Sequence, residues 1–201
     1  MTSILHRAIG TAGGRLSARR LVVAALLIAG AVTIPVAAAS PDGSSVTVNE
    51  ARGVYTVAAT FAIPQTMSFA MGALTDYDDI PRFMPEVRSS TVLERQDGLV
   101  VVEQEAVASF LMFSKRIHLV LDVREGQNTI RFRDRSGHSF VRYEGSWTIA
   151  EHEGRTHIRY ELSAQPSFDV PDFLLKRLLK RDATRMIERL KAEIDARARV
   201  R

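Results

Sequence analysis

The chain has 201 residues, enough for one domain or one domain with an appendage. It contains no cysteine, which excludes a disulfide framework, a thiolate metal site and a cysteine nucleophile. The formal charge of +4 comes entirely from residues 1–39, where Arg7, Arg15, Arg19 and Arg20 stand without an acid; the other 23 cations face 23 acids, so charge gives no argument for nucleic-acid binding.

Those first residues have a meaning of their own. Arg15, Arg19 and Arg20 precede an apolar run over residues 21–32, then Pro35 and the small residues Val36-Ala-Ala-Ala-Ser40. A basic start, an apolar stretch and an A-x-A ending describe a secretory signal peptide over residues 1–39, cleaved after Ala39. We therefore expect an exported protein of the periplasm or cell envelope. An uncleaved N-terminal membrane anchor is the alternative, because residues 21–39 are about long enough to span a bilayer. Arg19-Arg20 also resembles a twin-arginine signal, so the export route stays open between Sec and Tat. Residues 40–50 are polar, include Pro41-Asp-Gly-Ser-Ser, and read as a linker to a folded domain at 51–201.

From Tyr55 the apolar residues alternate: Tyr55, Val57, Ala59, Phe61 and Ile63, which predicts a strand with one buried face. Pro64 opens a short helix with Met67, Ala70, Met71 and Leu74 on one face. Asp76 and Asp78 are expected caps around a second short helix that ends at Pro85. Strands follow over 87–95 and 99–110 around the turn Gln96-Asp97-Gly98. Ile117, Leu119, Leu121 and Val123, then Ile130 and Phe132, continue the buried set. Val141, Tyr143, Gly145, Trp147 and Ile149 are expected on one face of the next strand, and Ile158, Tyr160, Leu162 and Ala164 on the last. One apolar and one polar face per strand imply an antiparallel sheet with one wet side. Asp169-Val-Pro171 is expected to start a helix running to about residue 197, with Leu175, Leu179, Met186, Leu190 and Ile194 as its main stripe and Leu174, Leu178 and Ile187 widening it.

The element order predicts an α+β helix-grip fold: a curved antiparallel sheet of about seven strands, two short helices, and a long C-terminal helix enclosing a cavity. On that order the chain resembles the START-like / Bet v 1-like (SRPBCC) superfamily, in its bacterial polyketide cyclase/dehydrase-like and coenzyme Q-binding branch. Three segments carry the resemblance: Leu74-Thr-Asp-Tyr-Asp-Asp-Ile-Pro-Arg-Phe-Met-Pro85, Tyr143-Glu-Gly-Ser-Trp147, and Arg181-Asp182 in the last helix. It covers about residues 50–197. It implies a pocket between sheet and helix for lipids, sterols, quinones or polyketides.

The residues spell out no reaction. The histidines lack zinc-motif spacing, no nucleophile elbow is present, and Glu103 with Glu105 fits a wet strand face. No catalytic residue, metal site or cofactor is assigned. His138, near a turn, is a surface histidine or one at a pocket mouth. Tyr143 and Tyr160 lie on the apolar phase, and a buried phenol needs a hydrogen-bond partner, which ligand, backbone or water would supply. With Phe132, Leu121 and Trp147, and Leu174 and Leu178 from the helix, they are the candidate ligand contacts. Arg177, Arg181 and Arg185 recur every four residues in a stretch, residues 171–201, with ten cations and five acids. They are a candidate membrane or partner surface, most simply an anionic bilayer. The expected function is binding or transfer of a hydrophobic small molecule (lipid, isoprenoid or polyketide-like), with no nucleic-acid partner. A polyketide cyclase/dehydratase-type enzyme and a cell-envelope interaction module are the alternatives.

Overall fold

The computed structural model describes residues 43–110 and 113–200. The expected signal peptide, its cleavage site and the anchor alternative lie outside the described residues. Eight strands follow from the alternating pattern: β1 Ser45–Ala51, β2 Val54–Ile63, β3 Val87–Gln96, β4 Leu99–Phe110, β5 Phe113–Glu125, β6 Thr129–Asp134, β7 Phe140–His152 and β8 Arg155–Pro166. They form one antiparallel sheet in the order β1-β2-β8-β7-β6-β5-β4-β3. The helices are α1 Met67–Leu74, α2 Ile80–Phe83 and α3 Asp172–Arg199, with a 3-10 turn at Tyr77–Asp79 before α2. The helix-grip architecture is as expected.

Three local expectations need correction. The sheet has eight strands rather than seven, because residues 45–50 of the expected linker belong to β1. Its side chains alternate Ser, Val, Thr, Val, Asn, Glu and are only partly covered, the signature of an edge strand rather than a core one. Val141 does not share a face with Tyr143: a register shift between Phe140 and Arg142 turns it outward, 70% exposed, and buries Phe140 instead. The expected caps also differ. Thr66 caps α1 by accepting from the Phe69 N–H. Asp78 accepts from the Val92 N–H at 2.8 Å and Asp76 from Arg197 at 2.8 Å. Pro171, not Asp169, occupies the N-cap position of α3.

At the β3–β4 turn Asp97 and Gly98 both take positive φ (46° and 77°), as a two-residue hairpin loop of primed type requires. Gly145 answers a different need. A Cβ there would lie 2.3 Å from the Glu161 carbonyl oxygen and 2.6 Å from the Phe132 ring. Phe132 is its register partner on β6, so the ring lies across the space that a side chain would fill.

The 28 residues of α3 extend roughly 42 Å at about 1.5 Å each. Its first turns are tied to β1 and β2: Tyr55 donates to Asp172 at 2.5 Å, and Lys176 pairs with Glu50 at 3.5 Å. Midway, Arg181 donates to the Ser109 carbonyl on β4 at 2.6 Å. Both halves of the sheet thus reach the one helix. At its other end Glu193, only 7% exposed, receives hydrogen bonds from Arg82 and Arg197. Arg197 also binds Asp76 and Asp79, at 2.8 and 2.6 Å. A carboxylate this buried is tolerated only with such partners.

Gly145→Ala should cost about 1–3 kcal/mol of stability, read from chemical denaturation, because the obstructing Glu161 oxygen is backbone and cannot swing aside. A variant as stable as the parent would refute the close approach of β6, β7 and β8 described above.

Candidate functional site

A single helix leaves part of the sheet's inner face uncovered. There the structure holds a cavity of about 350 Å³, within the usual range of small-molecule pockets, about 300–1,000 Å³. Five of the seven residues expected from the sequence line it: Tyr143, Tyr160, Phe132, Leu121 and Trp147. Leu174 and Leu178 do not. Leu178 packs with Tyr55 and Leu175 in a separate small cluster, because the first turns of α3 lie against the start of β2. The helix meets the cavity further on, through Leu179, Ala183, Met186 and Leu190, which fall on one face at spacings of four, three and four.

The segment read from sequence as architectural is also wall. Leu74, Tyr77, Ile80, Phe83 and Met84 all border the cavity, while Asp76, Asp79 and Arg82 of the same segment hold it to α3. The Tyr77 hydroxyl turns away and donates to Glu125 at 3.0 Å; burial, then that carboxylate, raises its pKa.

The polar centre of the wall is a pair of phenols. Tyr143 and Tyr160 both line the cavity, and their hydroxyls are near enough to influence each other's ionisation. Burial pushes Tyr143 up to about 12. It raises Tyr160 as well, helped by its neighbour. Two neighbouring hydroxyls carry two O–H protons and can share at most one between them, so at least one is left to donate to an occupant. Phe132 packs against both rings, with centroids at 6.0 and 6.3 Å, and Trp147 lies 4.5 Å from Tyr160. The pairing is diagonal: Tyr160 stands opposite Trp147, and Tyr143 opposite Ala164.

Charged groups gather at one border. Glu86 accepts a hydrogen bond from Arg189; burial is the largest influence and would raise its pKa, but this bond, a backbone hydrogen bond and the charges of Arg189 and Arg185 together hold it low. Asp182 also lines the cavity, and burial raises its pKa although Arg181 opposes the shift. Sequence reading missed Glu86 and Asp182 as wall residues. The three arginines expected to form one surface separate. Arg177 faces outward, Arg181 is held by Asp182 and the Ser109 carbonyl, and Arg185 borders the cavity. Glu103 and His118 pair at 3.2 Å on the outer face of the sheet. His138 is exposed, its ring against that of His118 at 5.2 Å. Among the described residues, no group of three or more potential metal ligands comes together.

Residues 63–191 match the family model described as polyketide cyclase / dehydrase and lipid transport. Among solved structures, a START superfamily protein from Mycobacterium smegmatis aligns with a TM-score of 0.61 at 15% identity, over 70% of this chain and 97% of its own. The Zhui aromatase/cyclase from Streptomyces sp. R1128 aligns with a TM-score of 0.63 at 13% identity, over 72% and 96%. A STAR-related lipid transfer protein (fragment 25–204) from Xanthomonas axonopodis aligns with a TM-score of 0.59 at 16% identity, over 77% and 99%. At these identities the likeness is one of fold. No curated protein matches the chain.

Tyr143→Phe and Tyr160→Phe should each cost about 1–3 kcal/mol. The double variant should cost less than their sum, since neighbouring polar groups that interact are not additive. Strict additivity in a double-mutant cycle would show that the two phenols do not interact.

Proposed function

The chain belongs to the polyketide cyclase / dehydrase and lipid transport family, and from that premise we propose that it is a non-catalytic binding or transfer protein for a hydrophobic small molecule, lipid, isoprenoid or polyketide-like. The observation that carries this reading is the apolar cavity between sheet and α3 with a single phenol pair in its wall. Burial of apolar ligand surface supplies affinity at about 25 cal/mol per Å². A phenol O–H supplies orientation, since it can donate to a ligand carbonyl or hydroxyl.

Export belongs to the same proposal and rests on residues 1–39: a carrier acting at the envelope, loading at an anionic membrane surface. Support for membrane contact comes from the outward side of α3. There Phe173 is 75% exposed, with Arg177 and Lys180 following at helical spacing. An apolar side chain flanked by cations suits the interface of an anionic bilayer.

The chain has one tryptophan, and it lines the cavity. Its fluorescence should therefore change on titration with an apolar ligand, and native mass spectrometry of protein taken from its own envelope should show a co-purifying molecule released by solvent extraction. Protein that emerges empty and shows no Trp147 response to any apolar probe would defeat the reading. For location, the mature protein should begin at Ser40. It should also sediment with phosphatidylglycerol vesicles and not with phosphatidylcholine ones, and a retained N-terminus or indifference to lipid charge would count against the respective part.

A further inference from the structure

Beside the cavity lies a second hollow of about 220 Å³, walled by Glu86, Arg88, Val107, Ser109, Arg181 and Arg185, with Pro85 at its edge. Glu86, Val107 and Arg185 line both spaces, so the hollow and the cavity share part of a wall. Its charge is lopsided, with three guanidinium groups and one carboxylate. The carboxylate, Glu86, is already taken by Arg189. Arg181 is fixed by Asp182 and by the Ser109 carbonyl. Arg88 and Arg185 are exposed, and neither makes a direct ion pair with an acid among the described residues, although the Arg185 charge is felt by Glu86 and Asp182. Like charges gathered in one concave site repel one another, and an anion there relieves that repulsion. Guanidinium groups present several N–H donors in a fixed fork, the geometry that grips a carboxylate or a phosphate.

We propose that this hollow holds the anionic head of an amphipathic, single-chain ligand, a carboxylate or phosphate, while its apolar body lies in the cavity. The inference rests on the cavity being a binding site and adds the class of molecule it selects. Arg88 and Arg185 are the head-gripping residues, Arg181 is a fixed positive wall, and Trp147 stands along the body of the ligand.

The test is a titration, below micelle concentrations, with palmitate, methyl palmitate, a lysophosphatidate and inorganic phosphate, read by Trp147 emission and by calorimetry. Palmitate and lysophosphatidate should bind about tenfold or more tighter than the ester, the scale of charge-assisted hydrogen bonds. Inorganic phosphate should bind negligibly, since it has no body for the cavity. Arg88→Gln/Arg185→Gln should bring acid and ester to near parity. Arg131→Gln/Arg124→Gln, which removes the same two charges from exposed positions paired across β5 and β6, should keep the preference. Acid and ester bound equally well by the parent protein would overturn the head site and leave the cavity reading standing. Preference retained in the double variant would overturn the assignment to these two arginines, and tight binding of inorganic phosphate would replace the amphipathic ligand with a free anion. If neither palmitate nor its ester binds, the cavity reading falls and this inference with it.

Discussion

The concave face of an eight-stranded sheet is broader than one helix can cover, and the rest of the structure follows from that mismatch. A flat sheet would leave most of its inner face wet. Curling brings both halves to α3, so that Glu50 and Tyr55 at one side and Ser109 at the other touch the same helix. The curl needs close backbone approach between neighbouring strands, and Gly145 permits it by leaving room for the Phe132 ring and the Glu161 carbonyl. What the helix cannot reach stays open as the cavity. The emptiness is thus a product of geometry, and its apolar lining is simply the core face of the strands.

An open core weakens a fold that depends on packing, and charged contacts compensate at its border. Asp76, Asp79 and Arg82 from the short helical segment meet Glu193 and Arg197 from the end of α3. Exposed ion pairs contribute little singly, but this group is networked around a carboxylate that is nearly buried, which makes each member dependent on the others. The same twelve-residue segment therefore has two jobs along its length: its apolar residues face the cavity, while Asp76, Asp79 and Arg82 face the helix.

Much of this was legible from the sequence where periodicity is strong. Val57, Phe61, Leu119 and Ile158 alternate with polar neighbours, and the strands lie where that pattern puts them. Local alternation fails where tertiary geometry decides. Val141 continues the apolar phase of β7 perfectly, yet a one-residue bulge turns it to solvent, and nothing in the linear pattern marks the bulge. Ser45–Ala51 looks like a linker because an edge strand needs few apolar residues. Leu174 and Leu178 belong to the same broad stripe as Leu179 and Ala183, but α3 meets two different partners along its length, and a helical wheel cannot say where one ends. Arg88 and Arg185 stand far apart in the chain, so no motif could bring them together before the fold did.

The placement of the two phenols has a consequence for what an occupant meets. Tyr143 and Tyr160 are rooted four residues apart along the ladder, since Tyr160 stands opposite Trp147 and Tyr143 opposite Ala164. Their hydroxyls nonetheless influence each other's ionisation. The phenols therefore offer one polar point rather than two, and a ligand with a single carbonyl or hydroxyl is enough to satisfy it.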